Sequence, residues 1–279
     1  MIRKRIKIRG FKAATVHAQP VGKVIANFIP NKQRRFRVYC IGLPRSGTHS
    51  IANLFRTNFR ADHEPYAGST VKVIENMHRN RISSSKIIDH LLIRDKILQL
   101  EMESAHYLYR FVPQLVTLFP DSKFIMTVRE PKSWLESEMN KNYQSVKGRI
   151  WSRLETIRYG IYNNKHQNDS LKNIKGIYPV SSYLQYYRDH IEFVIKHVPE
   201  KRLMVLDTFT LQENINTLCD FIDVESYKLN LEKIHSAKRK VKEIQLNKLV
   251  DESVIHESID KYCRPFIEEK TPFLLKYMN

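Results

Sequence analysis

From Phe36 to Ser50 the chain reads FRVYCIGLPRSGTHS, an apolar run that breaks into a loop where Gly42 and Gly47 bracket Leu-Pro-Arg-Ser. A loop of this form leading into a helix suits an anion. Successive backbone N–H groups converge at the helix N-terminus, where the macrodipole and unpaired donors already favour negative charge. Loops that serve nucleoside triphosphates follow the second glycine with Lys and then Ser or Thr, the Lys for the terminal phosphates and the hydroxyl for Mg²⁺. Here Thr48 and His49 follow Gly47, and the cation comes earlier, at Arg45. That order points to an anion held by Arg45, with Ser46, Gly47, Thr48, His49 and Ser50 around it and no metal. A second set lies downstream in KFIMTVREPKSWLES, where Arg129 ends an apolar run and Ser137 follows eight residues later. On one helix turn beyond a strand end, these two side chains can converge on a single oxyanion.

The first loop resembles the 5′-phosphosulfate loop of the sulfotransferase family, whose members read Pro-Arg-Ser-Gly-Thr or Pro-Lys-Ser-Gly-Thr after the first strand; here the match is Pro44 to Thr48. Arg129 and Ser137 are similar to that family's 3′-phosphate clamp in order and spacing. The resemblance implies 3′-phosphoadenylyl sulfate (PAPS) as sulfuryl donor and adenosine 3′,5′-bisphosphate (PAP) as product. It further implies a P-loop-like three-layer α/β fold with a central parallel sheet, and a bacterial-type soluble member. The basic run HSAKRKVK lies where the family places a loop over the 3′-phosphate, which makes Lys238 and Arg239 candidate cofactor ligands, although the glycine of the cytosolic subgroup is missing.

Sulfuryl transfer also needs a base for the acceptor hydroxyl and cations for the leaving phosphate. Arg45 suits the cation. FRADHEP, residues 59 to 65, follows the first helix and offers Glu64 and His63. Some branches of the family use a Glu in this region, which ranks Glu64 first. Strand alternation would send the two side chains to opposite faces, so one is expected to be catalytic and the other structural. Glu101 is a third candidate, with an ion pair to Arg45 or Arg129 as its alternative.

The elements that must carry these residues follow from periodicity. Lys123 to Val128 is too apolar for an exposed strand and reads as a buried parallel one, and Ser133 with Glu136 reads as a capping box opening the next helix. Residues 97 to 125 read as strand, helix and strand. Residues 202 to 222 read as a last core strand and a helix, with Thr210 and Glu213 as another capping box. Strands alternating with helices give a parallel sheet whose ligands bind beyond the carboxyl ends. Residues from about 140 to 200 lack strand signals and are expected to form a helical insertion beside the cleft. Its apolar face runs through Leu184, Tyr187, Ile191, Val194, Ile195 and Val198; the resemblance implies Tyr159, Tyr162, Tyr183, Tyr186 and Tyr187 as candidate acceptor contacts, with packing in the core or its rim as their alternative.

Composition bounds the rest. A chain of 279 residues with 42% hydrophobic content supports one α/β domain over residues 36 to 279, preceded by a basic segment over 1 to 35. Cys40, Cys219 and Cys263 show no metal-ligand spacing and fit reduced, buried thiols. No apolar run is long enough to span a bilayer and no leader-like stretch opens the chain, so a cytoplasmic location is expected. The 47 Lys and Arg against 29 Asp and Glu, net +18, exceed what one nucleotide needs. The excess fits an anionic acceptor, an anionic membrane surface or a host with basic proteins generally, and the opening MIRKRIKIRGFK reads as an exposed strand, a segment in peripheral contact with anionic lipid at the inner membrane face, or a basic disordered tail. No aromatic-basic recognition motif accompanies the charge, which argues against specific nucleic-acid binding. The expected acceptor is a carbohydrate or glycolipid, the alternative a small alcohol or phenol. A kinase-like phosphotransferase is the rival activity, with Asp207 as its possible Mg²⁺ ligand.

Overall fold

The computed structural model describes residues 19 to 144, 148 to 162, 177 to 233 and 250 to 278. Five strands, β1 (Val38–Cys40), β2 (Ala61–His63), β3 (Met102–Ser104), β4 (Lys123–Val128) and β5 (Leu203–Asp207), form one sheet in the order β2-β3-β1-β4-β5. Every pairing is parallel, with Val38 opposite both Met102 and Lys123, Ala61 opposite Met102, and Phe124 opposite Leu203. The chain leaves β1 toward one edge of the sheet and later crosses to the other. The loops after β1 and β4 therefore emerge side by side, where open α/β sheets place their ligands.

Alternation along the central strands builds two cores and hence three layers. Tyr39 and Ile41 with Phe124, Met126 and Val128 face one cluster, while Val38 and Cys40 with Ile125 and Met102 face the other. On the second face lie α2 (Thr48–Phe55) and α9 (Ile215–Ile222), which bury Ile51, Leu54, Phe55, Leu218 and Ile222. The first face carries α3 (Ala67–His78), α4 (Ser84–Leu98), α5 (Val112–Leu118) and the helical region α6 (Pro131–Gln144), α7 (Arg149–Tyr159) and α8 (Val180–His197). Also on this face are α10 (Glu252–Tyr262) and α11 (Arg264–Lys270), which bury Ile255, Ile259, Phe266 and Ile267. A short helix, α1 (Gln19–Phe28), packs along α4. The parallel central sheet and the helical insertion are those the sequence predicts, and the structure sets the strand number at five.

Three local readings change. The segment before β3 is no strand: α4 runs to Leu98 and ends on Gln99 in the left-handed region, φ 49°, so β3 begins only at Met102. Ser133 does not cap α6; the carboxylate of Glu130 accepts from the amides of Lys132 and Ser133 at 2.6 and 2.7 Å. Nor does Thr210 cap α9, whose N-cap is Asn214, an amide donor to Thr210 Oγ1 at 3.1 Å. At α6 the Glu130 carboxylate takes the amides at the helix start, and at α9 the N-cap falls four residues beyond Thr210, on Asn214. The three cysteines are free and buried, and burial raises the Cys40 thiol to about 11, so these are packing groups rather than nucleophiles.

Candidate active site

The loop after β1 is held rigidly before any ligand is considered. Gly42 lies against β4 so closely that a Cβ would sit 2.0 Å from Thr127 Oγ1 and 2.5 Å from its carbonyl, so no larger residue fits. Ser46, fully buried, donates its hydroxyl hydrogen within a cluster of Leu43 O at 2.7 Å, Thr127 O at 2.8 Å and Thr127 Oγ1 at 2.8 Å, and its amide donates to Leu43 O. Ser46 thus secures the loop instead of offering its hydroxyl to an anion. Arg45 and Gly47 both adopt left-handed backbone, φ 64° and 89°. That turn brings the loop into α2, whose internal ladder begins with the Ile51 amide donating to Gly47 O at 3.1 Å. The amides ahead of Ile51 are those that a helix N-terminus presents.

The second segment meets the first. Arg45 Nε donates to Ser137 Oγ at 3.1 Å, and Arg129 Nε donates to Ser133 Oγ at 2.7 Å. The expected partner of Arg129, Ser137, is therefore held by Arg45, and Ser133 was the serine missed by sequence reading. Burial and the charge of Arg45 both hold the Arg129 guanidinium below its ordinary range. Two cations drawn together in a half-buried site are a cost that a bound polyanion removes. Beside them the half-exposed ring of Phe209 lies 5.3 Å from Arg129, and Thr208 Oγ1, near the carbonyls of Ser46 and Val128 at 2.8 and 2.6 Å, ties the end of β5 to both segments.

A third group converges from β2 and β3. Glu64 follows β2 in the left-handed region, φ 52°, and its amide donates to Ser104 O at 2.9 Å. This breaks the alternation assumed for a strand. His63 and Glu64 consequently share one site, His63 Nδ1 lying 4.0 Å from Glu64 Oε2, instead of facing opposite sides. His63 Nε2 reaches Thr48 Oγ1 at 3.3 Å, and its ring packs edge-on to His49 with centroids 5.0 Å apart. His49 also pairs through Nδ1 with Asn53 at 3.1 Å. The other Glu64 oxygen accepts from His106 Nδ1 at 2.6 Å. Burial, and then the charges of Arg158 and Lys141, hold His106 well below the usual imidazole range, so it is neutral and donates through Nδ1–H. Desolvation lowers His63 as well. His106 was missed because it follows β3 in a 3₁₀ turn, His106–Phe111, where sequence gives no sign of which side chain turns inward.

Glu101 leaves the list. It lies just before β3, at the end of the sheet opposite Arg45, and pairs with Arg35 at 2.9 Å and Arg60 at 3.7 Å, not with Arg45 or Arg129. Asp207 is likewise committed, accepting from the Phe209 amide at 2.9 Å and the Tyr277 hydroxyl at 2.7 Å. Tyr159, Tyr183, Tyr186 and Tyr187 are fully buried core, while Tyr162 donates to Asp189 at 2.6 Å. Lys238 and Arg239 lie outside the described residues, and Ser50 is buried in the first turn of α2. Among the described residues no group of three or more His, Cys, Asp or Glu has the arrangement of a metal site, and no helix is long and apolar enough to cross a membrane.

A curated relative, the Ava biosynthesis cluster protein M of Aspergillus versicolor, is 28% identical over 126 residues, which span 40% of this chain and 45% of that protein. The chain thus matches less than half the length of that relative. A sulfotransferase from Alicyclobacillus acidocaldarius superposes with a TM-score of 0.47 at 10% identity, covering 87% of this chain and 97% of that one. The sulfotransferase domain from the curacin biosynthetic pathway gives 0.36 at 15% identity, with 72% and 77% covered. The family model described as a sulfotransferase domain matches residues 37 to 232, which include β1 to β5, Arg45, Glu64, His106 and Arg129, and the chain belongs to the sulfotransferase family.

Proposed function

We propose that this protein moves the sulfuryl group of PAPS to an acceptor hydroxyl, with PAP as product. The observation that carries the reading is the meeting of two anion-binding segments, Arg45 on the loop after β1 and Arg129 with Ser133 after β4. One phosphate at the α2 N-terminus and a second between the arginine-bearing segments account for both. Phe209 offers a flat face for the base beside them. In the transfer the acceptor oxygen bonds to sulfur as the bond from sulfur to the 5′-phosphate oxygen breaks. The acceptor proton passes to Glu64, and the electron pair leaves on the phosphate. Arg45 and the amides at the α2 N-terminus stabilise that charge. His106 holds one Glu64 oxygen, which leaves the other to take the proton.

The acceptor we favour is a carbohydrate, either free or on a lipid, in preference to a small alcohol or phenol. We place the protein in the cytoplasm, with its basic N-terminal segment against anionic lipid. Residues 1 to 35 hold ten Lys or Arg and no Asp or Glu. Arg34 and Arg35 pair with Asp95 and Glu101 at the end of the sheet away from the cleft.

The test is incubation with PAPS and a panel of sugars, alcohols and phenols, reading PAP release and an added sulfuryl group by mass. Transfer to a sugar that Glu64→Gln abolishes is the expected result. Transfer to phenols alone would replace the acceptor class. PAP release in no condition would remove the reading.

A further inference from the structure

Both anion-binding segments are held from behind by the helical region through side-chain hydrogen bonds to their carbonyls. Trp134, fully buried on α6, donates from Nε1 to Pro44 O at 2.7 Å. Tyr187, fully buried on α8, donates its hydroxyl hydrogen to Arg129 O at 2.7 Å. Its neighbour His190 bonds Ile41 O through Nε2 at 2.8 Å and meets the Tyr186 hydroxyl at Nδ1. A carbonyl only accepts, so Nε2 carries the hydrogen and Nδ1 accepts from Tyr186. Burial keeps this imidazole well below its usual range, consistent with a neutral ring.

What these bonds fix is particular. The Pro44 carbonyl lies in the peptide plane that leads into Arg45, and rotation about the next bond is the φ of Arg45, held at 64°. A non-glycine residue stays in that region only where its surroundings over-determine it. The Arg129 carbonyl lies in the peptide plane between Arg129 and Glu130, whose carboxylate caps α6. Each bond therefore sets the direction of one guanidinium without touching the ligand.

We infer that Trp134 and Tyr187 are positioning residues for the two phosphates of the donor, Trp134 for the 5′ side through Arg45 and Tyr187 for the 3′ side through Arg129. This rests on the donor reading above. It adds that α6 and α8 set the donor site, each through one hydrogen bond.

The experiment measures PAP and AMP affinity by calorimetry, well below the melting temperature, for the wild type, Trp134→Phe and Tyr187→Phe. AMP carries only the 5′-phosphate. Trp134→Phe removes the N–H while keeping an aromatic ring, and should weaken PAP and AMP alike, roughly three- to tenfold. Tyr187→Phe removes one oxygen from a core position, and should weaken PAP by a similar factor while leaving AMP unchanged. A merely structural role would lower the melting temperature of both variants and leave every affinity at the wild-type value, and that result would overturn the inference. Equal loss of PAP and AMP in Tyr187→Phe would overturn its assignment to the 3′ side. A wild type that binds neither nucleotide would remove the donor reading and this inference with it. Should Trp134→Phe fail to fold, the PAP-to-AMP split in Tyr187→Phe decides.

Discussion

Arg45 and Ser137 stand 3.1 Å apart, one on the loop after β1 and the other on the second turn of α6, and their hydrogen bond joins the segments that follow the paired strands β1 and β4. Arg129 approaches the same place with Ser133, against the charge of Arg45. In Arg129→Ala, PAP affinity should fall by ~1.5–3 kcal/mol, the range of a hydrogen bond to a charged group, with AMP affinity little changed. Calorimetry reads both values. Undiminished PAP binding in the folded variant would exclude Arg129 from the site.

Replacing Glu64, the proposed proton acceptor, should separate chemistry from binding. Glu64→Gln keeps the shape of the side chain and should lose turnover by about two to four orders of magnitude while PAP affinity stays near the wild type. Single-turnover assays with a matched PAP titration test this. Near-normal turnover would shift the base to His63 or His106.

Glu101→Gln should do the reverse. It breaks a buried carboxylate's bonds to Arg35 and Arg60 and should cost about 1–3 kcal/mol of stability, read from denaturant melts. Turnover per folded molecule should be unchanged, because the residue lies at the far end of the sheet. A selective loss of turnover would return Glu101 to the list of bases.

Residues whose roles are local were readable from sequence. β4, the glycine-bracketed loop and the order Arg45 then Arg129 depend on short apolar runs and turn residues. Glu101 was misplaced because its partners, Arg35 and Arg60, are remote in sequence, and because Gln99 in left-handed backbone ends α4 where an apolar run reads as continuing. Glu64 and His63 were assigned opposite faces because one positive φ, at Glu64, cancels alternation and leaves no mark in the residue types. His106 and Ser133 depend on contacts that only the assembled sheet and α6 create.

Stability should fall on the acid side. His63, His106 and His190 all bind protons less readily when folded, burial being the main cause in each. An imidazole in the unfolded chain titrates near 6.5, so below that pH the unfolded state takes up protons the native state refuses. The stabilising difference is complete above about pH 6.5. It is lost as the pH falls, at up to ~1.4 kcal/mol per pH unit for each group. Melting temperatures between about pH 7.5 and 5.5 should drop, and His106→Gln should flatten the slope. A flat profile in the wild type would mean that these rings are not desolvated.

The two loop glycines should differ in kind. Gly42→Ala places a Cβ inside Thr127 and should abolish soluble expression. Gly47→Ala meets only ordinary contact with Thr208 at 3.4 Å but must hold φ 89°, so it should fold with a loss of roughly 1–2 kcal/mol. Equal behaviour of the two variants in denaturant melts would contradict this.

The central claim, that two phosphates are read by two segments, is tested most directly by thermal stabilisation with PAP, AMP and ATP plus Mg²⁺ at equal concentration. A ligand that binds only the native state raises its melting temperature according to affinity. A shift that is largest for PAP, smaller for AMP and reduced to the AMP level in Arg129→Ala is the predicted result. A shift confined to ATP with Mg²⁺ would contradict the account and favour phosphoryl transfer, and equal shifts for PAP and AMP would deny the second phosphate its site.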